Sequence, residues 1–212
     1  MKTMKFLSLI ITGVCILQAC HNSEKEKQSG TMSSDSSITV SANGKQTRLS
    51  KEETTFIEQA AVGGMMDIEA GNNALQKSKN PKIKELAQMI INDHTKANQE
   101  LDSIARNKGL KLPSAYPVEE QKQISALKEL NAASFDHNYL GMMVKDHILT
   151  LEKFRLAAKY EDPDIKAFAL KTIPVLENHF ARANALDSLY IKQKMNNGDD
   201  ILNIDKSSKK PH

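Results

Sequence analysis

Residues 80–109 read NPKIKELAQMIINDHTKANQELDSIARNKG, and this stretch decides the fold. Asn80 can cap a helix with its side-chain oxygen, and Pro81 suits the first helical position, where its missing N–H is no loss. Gly109 is the residue that ends a helix just past its last turn. Between these signals Ile83, Ala87, Ile90, His94, Ala97, Leu101 and Ile104 step by three and four, the spacing of one helical face. The prediction is a helix over 81–108, 28 residues in all, about 42 Å long at helical rise.

The flanking sequence follows the same pattern. Ser50 with Glu53 forms a capping box and opens a helix over about 51–78, with the seam Ile57, Ala61, Gly64, Ile68, Gly71 and Leu75. Leu112-Pro113 lies in a 24-residue connection, 110–133, that holds a short helix over about 118–130. Ser134 caps a helix over about 134–160, with the seam Leu140, Met143, His147, Leu151, Phe154 and Ala158. Asp162-Pro163 opens the last helix, about 163–194, whose seam runs Ile165, Ala169, Thr172, Leu176, His179, Ala183, Leu186 and Tyr190. Pro174 inside it predicts a kink. No stretch alternates as a strand does. Two helical hairpins joined by one long crossover are the ferritin-like arrangement among four-helix bundles. The expected fold is therefore all-α: a ferritin-like four-helix bundle whose crossover carries a short extra helix. Gly64, Gly71, Ala87 and Ala97 on the seams would let helices approach closely.

The 212 residues, 40% hydrophobic and 26% charged, suit one domain with extensions. They exclude a collagen, a multi-span membrane protein and a wholly disordered chain. With 29 basic and 26 acidic residues, the net charge of +3 offers no polybasic face for nucleic acid. Lys2 and Lys5 precede an apolar run from Phe6 to Leu17, too short for a bilayer, which needs about 20 residues. Leu17-Gln18-Ala19-Cys20 then resembles a bacterial lipoprotein signal, with Leu three places before a Cys that takes the lipid. The expected organisation is a signal peptide over 1–19, lipidation at Cys20, a flexible linker over 20–49, the bundle over 50–194 and a polar tail over 195–212. An ordinary secretory signal or a retained anchor is the competing reading. His21 rather than Asp after the Cys favours the outer over the inner membrane, with the N-terminal lipid as the membrane contact. Cys15 leaves with the signal and Cys20 is committed to lipid, so no thiol remains for catalysis or metal ligation. Losing Lys2 and Lys5 lowers the charge from +3 to +1.

The chemistry left over centres on three histidines. His94, His147 and His179 each take an apolar place on a seam, and buried imidazole atoms need partners. If helices two and four run parallel, His94, 13 residues after Pro81, and His147, 13 after Ser134, sit at one height. Their surroundings echo each other, MIINDH at 89–94 and MMVKDH at 142–147. On helix one the polar group chosen as nearest is Glu69, about 7 Å away in height by helical rise. Asp67 lies about 200° around the helix from Glu69, so the two cannot face one site. Asp93 and Asp146 point about 100° away from the histidines beside them, and Glu177 diverges from His179. The candidate metal ligands are therefore Glu69, His94, His147 and His179, a donor set that suits zinc, iron, copper or nickel. The Glu-x-x-His signature of di-iron bundles is absent: Ile91, Val144 and Leu176 stand three before the histidines. Met65, Met66, Met89, Met142 and Met143 cluster near this level, and read as core filler or as thioether ligands for copper or haem. The competing reading makes each histidine a hydrogen-bonded core residue. Asp136 and Tyr139 read as cap and first-turn groups, and His137 as exposed. With no G-x-S-x-G, phosphate loop or H-E-x-x-H, no catalytic residue is named.

Phe56 to Leu186 resembles the bacterial ferritin-like family of unknown function whose members are often labelled predicted outer membrane proteins. The matching pieces are AAVGGM at 60–65, DIEAG at 67–71, AQMI at 87–90, DHTKAN at 93–98, Leu112-Pro113, FDHNY at 135–139, Asp146-His147, KAFA at 166–169 and LENH at 176–179. The chain departs from that pattern at Asp67, where Glu is usual, and at Ala70, where a larger apolar residue is usual. The resemblance implies a ferritin-like bundle and export, carries no established reaction, and highlights the same Glu69, His94, His147 and His179. The expectation is an exported lipoprotein of unestablished activity whose bundle binds a transition metal (Zn, Fe or Cu) through core His and Glu, in envelope metal or stress handling. The alternative is a non-catalytic structural or interaction module of the cell envelope; an enzyme is the third reading.

Overall fold

The computed structural model describes residues 38–40 and 46–196. The expected signal peptide, Cys20, the linker up to 37 and the tail beyond 196 lie outside the described residues. Two short strands, β1 (Ile38–Val40) and β2 (Gln46–Arg48), pair antiparallel with Ile38 opposite Arg48. The stretch expected as a flexible linker over 20–49 thus carries a short strand pair, which three residues per strand are too few to announce by alternation. Leu49, also assigned to the linker, is buried in the bundle's core. The helices are α1 (Lys51–Lys77), α2 (Pro81–Asn107), α3 (Val118–Glu129), α4 (Ala132–Ala157) and α5 (Pro163–Asn196).

The local signals act as their chemistry dictates. Ser50 Oγ accepts from Glu53 N at 3.1 Å, and Glu53 Oε2 accepts from Ser50 N at 2.9 Å, so the capping box closes. Asn80 Oδ1 accepts from Lys82 N at 3.0 Å, and Gly109 sits at φ 74°, the left-handed turn that glycine tolerates. At α4 the expected cap is corrected. Asn131 Oδ1, not Ser134, serves the first turn, accepting from Ser134 N at 3.1 Å, and the helix begins at Ala132. Tyr139 is a core residue rather than a first-turn group: it shares a face with Phe135 one turn earlier, is fully buried, and stacks on that ring with centroids 5.8 Å apart. His137 is half-buried rather than exposed, its ring stacked on Tyr190 at 5.8 Å. The chain continues as one helix through Pro174.

The side-chain ties set the helix directions. Glu53, at the start of α1, accepts through Oε1 from Asp162 N beyond the end of α4, at 3.0 Å. Lys108, at the end of α2, reaches Asp162 and Asp164 at 2.6 and 2.8 Å. Lys77 Nζ, at the end of α1, donates to Leu130 O ahead of α4 at 2.8 Å. Helices α2 and α4 are thus parallel, and α1 and α4 antiparallel. The end of α2 and the start of α4 lie at opposite ends of the bundle, which is why the crossover must be long. Its helix α3 packs on α1 and α4 through Ile124 and Leu127. Hairpins α1–α2 and α4–α5 join along α1–α4 and α2–α5. Among the described helices none is long and apolar enough to cross a membrane.

The seams of α2, α4 and α5 bury nearly as read. On α1 the second half slips in phase: Asp67, Ala70 and Ala74 are buried, while Ile68 and Leu75 are only half-buried. The reason is that α1 packs against α2, α3 and α4 together, so its buried stripe is wider than a single seam. The apolar interior falls into two clusters. One contains Leu86, Ile90, Tyr139 and Met143; the other contains Phe56, Leu101, Phe154 and Phe168. The buried polar residues include Asp67, His94, His147, Thr172 and His179.

Candidate metal centre

Three parallel or antiparallel helices each contribute one imidazole to this polar layer. His94 comes from α2, His147 from α4 and His179 from α5, with 7%, 1% and 0% of their surfaces exposed. Their ring centroids are 5.8 Å (His94–His147), 5.4 Å (His94–His179) and 5.3 Å (His147–His179) apart. One ring nitrogen from each lies within 4.8 Å of the other two. The equal heights expected for His94 and His147 are therefore realised, because α2 and α4 run parallel.

Two of the rings have their tautomers chosen by acceptor-only neighbours. His147 Nδ1 is 2.9 Å from the carbonyl of Met143, one turn earlier, so it donates. His179 Nε2 is 3.1 Å from Asp93 Oδ2 on α2, so it donates there. The remaining nitrogens, His147 Nε2 and His179 Nδ1, face each other at 3.3 Å. In neutral rings with these tautomers both carry lone pairs. Such a contact repels unless a proton or a cation is shared between them. Burial pulls His179 down to about 4, against the upward pull of its bond to Asp93. Burial also pulls His94 down to about 3, with His147 adding to the effect. Neutral imidazole is the ligand form, and a second nitrogen donating to a carbonyl or carboxylate is the usual support for a metal-bound histidine.

His94 Nε2 is 3.2 Å from Asp67 Oδ2, but off the hydrogen-bond direction, and it has no hydrogen-bond partner. Asp67 is itself buried. Burial raises its pKa, partly offset by His147 and His179. Burial likewise lifts Asp146 to about 6, with the Asp67 charge adding to the rise. Three imidazoles thus stand close enough to hold a cation between them, with the carboxylate of Asp67 beside His94 and that of Asp93 beside His179.

The carboxylate is not the expected one. Glu69 turns away to the crossover, where Tyr116 Oη donates to its Oε2 at 2.8 Å. The physical reason is phase: Glu69 lies about 200° around α1 from Asp67, and only one of them can face the bundle axis. Height alone already favoured Asp67, which stands 12 residues before the turn at 79 against 15 after it for His94. Asp93 was also missed, because its angle was compared with His94 on its own helix. Its partner is His179, on the helix across the interface. Glu177 pairs with Arg155 at the surface, at 2.9 Å.

Residues 39–186 match the DUF4142 family, a domain of unknown function, and the chain belongs to that family. Among solved structures the bundle is similar to a DUF305 fragment from Deinococcus radiodurans, with a TM-score of 0.59 and 11% identity over 66% of this chain and 97% of that one. It is also similar to CopM in the Cu(I)-bound form, with a TM-score of 0.56 and 19% identity over 65% of this chain and 96% of that one. For CopM in the Cu(II)-bound form the values are 0.52 and 18%, over 65% and 97%. At these identities the likeness is one of fold. No curated protein matches the chain by sequence.

Proposed function

We propose that this member of the DUF4142 family is an exported, lipid-anchored envelope protein whose bundle holds one transition-metal ion between His94, His147 and His179. The observation that carries the reading is the facing pair His147 Nε2 and His179 Nδ1, 3.3 Å apart, with both opposite nitrogens already committed as donors. Two nitrogens bound at about 2.05 Å to a tetrahedral ion stand about 3.3 Å apart. Asp67, beside His94, takes the place assigned to Glu69 as the nearby carboxylate. Imidazole suits copper, zinc, iron and nickel alike. Copper is the first ion to try, because CopM, a neighbour in fold, is a copper-bound protein. When bound, the ion would supply the positive charge that the facing lone pairs call for. Met143 O and Asp93 hold the rings in the binding tautomers.

The second reading treats the histidines as ties between helices. The His179–Asp93 bond from α5 to α2 supports it, but it leaves His94 Nε2 buried without a hydrogen bond, with only the misaligned Asp67 carboxylate beside it. Titration of chelator-stripped, tag-free protein with Cu(II), Zn(II) and Fe(II) separates the two. One tightly bound equivalent is expected, lost in His94→Ala and His147→Ala. Absence of binding, or equal binding in both variants, rejects the site. For the anchor, Cys20→Ala is expected to move the protein from the membrane to the soluble fraction; retention in the membrane would sink the lipoprotein reading.

A further inference from the structure

Two adjacent glycines on α1 face different surroundings. A Cβ at Gly64 would collide with the side chain of Asn98 on α2, so α1 and α2 pack closely at this level. A Cβ at Gly63 would meet nothing within 4 Å. The open side gives onto a groove of about 400 Å³ between α1, α4 and the crossover, walled by Pro113 and Pro117. Behind it lies a smaller cavity of about 70 Å³ that reaches His94, Asn98 and Thr172. Gln59, Gly63, Asp67, Thr150 and Lys153 line both spaces, so the two adjoin along the α1–α4 seam. Gln59, Gly63 and Asp67 are spaced by four and form one strip along α1. At the inner end of the strip, Asp67 Oδ2 stands 3.2 Å from His94 Nε2, a buried atom with no hydrogen-bond partner.

Charge and volume say what could pass. The groove carries Glu58, Asp67, Glu120 and Asp146 against Lys153, a wall that attracts cations. The inner cavity, at about 70 Å³, has room for about two waters. An ion reaching the histidines must therefore shed most of its hydration shell on the way, and a buried carboxylate at the threshold supplies oxygen in place of water.

We infer that the α1–α4 seam at Gly63 is the path by which a hydrated divalent transition-metal cation reaches the histidine layer, and that Asp67 is the carboxylate that takes the ion first and passes it to His94. This rests on the three-histidine reading above. The test is kinetic. Full-length, chelator-stripped protein is mixed with Zn(II), then separately with Cu(II), and uptake and release are followed against a chromophoric chelator. Gly63→Phe grows into open space and is expected to bind one equivalent while loading and releasing at least tenfold more slowly. Gly63→Leu repeats the measurement with a smaller plug, should the larger one disturb folding. Gly141→Phe is the control, since a Cβ there also meets nothing within 4 Å and the residue lines neither space. It is expected to load at the wild-type rate. Asp67→Asn is expected to slow loading at least tenfold. Wild-type rates in both Gly63 variants overturn the path, and a wild-type rate in Asp67→Asn overturns the carboxylate's role. Failure of the unmodified protein to bind either ion would instead reject the histidine site itself.

Discussion

Replacing His94 with leucine should make the metal-free protein more stable and the metal-treated protein indifferent to metal. His94 is 7% exposed, and its Nε2 makes no hydrogen bond. A buried polar group left unpaired costs about 1–3 kcal/mol. Leucine is of similar size, removes that group, and can settle its different shape into the adjoining cavity of about 70 Å³. The metal-free His94→Leu variant is therefore expected to gain about 1–3 kcal/mol. For a folded unit of this size each kcal/mol moves Tm by about 2–4 °C, so the rise should be roughly 2–12 °C. The unmodified protein, given metal at a hundred times its Kd, should gain about 2.7 kcal/mol, and the variant very little. Thermal melts followed by circular dichroism, with and without chelator, read both effects on one plot. A metal-free variant that melts below the unmodified protein would refute the reasoning, for it would show that His94 makes a net stabilising contact as a helix tie.

Three further outcomes follow from the same geometry. Asp93→Asn keeps an oxygen that can accept from His179 but removes the charge, so metal affinity should fall about 10–100-fold with the far-ultraviolet spectrum unchanged; unaltered affinity would show that Asp93 does not support the ring. Burial holds His94 at about 3 and His179 at about 4, below the ordinary 6.5, so the unfolded chain binds more protons between about pH 4 and 6.5. Metal-free stability should thus fall as pH drops through that window, by up to about 1.4 kcal/mol per pH unit per histidine. The raised carboxyl of Asp67 offsets part of the slope, and His94→Leu should flatten it; urea midpoints level from pH 7 to 4.5 would contradict this. Gly71→Ala places a Cβ 2.8 Å from Ile91 Cγ1 and 3.3 Å from the carbonyl of Ala87. Overpacking of about 1–3 kcal/mol then outweighs a helix-propensity gain of about 1 kcal/mol. Gly63→Ala, with open space around it, should keep that gain whole, and the reverse order of stabilities would refute the packing argument.

Much of the architecture was legible because helix signals are local. Ser50 with Glu53, Asn80-Pro81 and Gly109 each act within one turn of chain, and each does so in the structure. The start of α4 was misread because Asn131 and Ser134 are both competent caps, and the choice rests on how the crossover enters the helix. The strand pair before the bundle escaped notice for a different reason: its three-residue strands need each other, and pairing is not a property of either segment alone.

The candidate site divides along the same line. Periodicity put His94, His147 and His179 on seams, and parallel α2 and α4 put two of them at one height, so the imidazoles were found from spacing alone. The carboxylates were not. A rise of 1.5 Å per residue fixes height, but the rotation of α1 within the bundle decides whether Asp67 or Glu69 faces the axis. That rotation is set jointly by α2, α3 and α4, with Tyr116 taking the Glu69 side. Asp93 likewise acquires meaning only from α5 lying across from it. The sequence by itself determined the helices, the caps of α1 and α2, the helix order and the seam positions of the three rings, because these follow from contacts and spacing within a few residues. Only the tertiary structure decided which carboxylates meet those rings and where the α1–α4 seam stays open, because both depend on the facing of helices far apart in the chain.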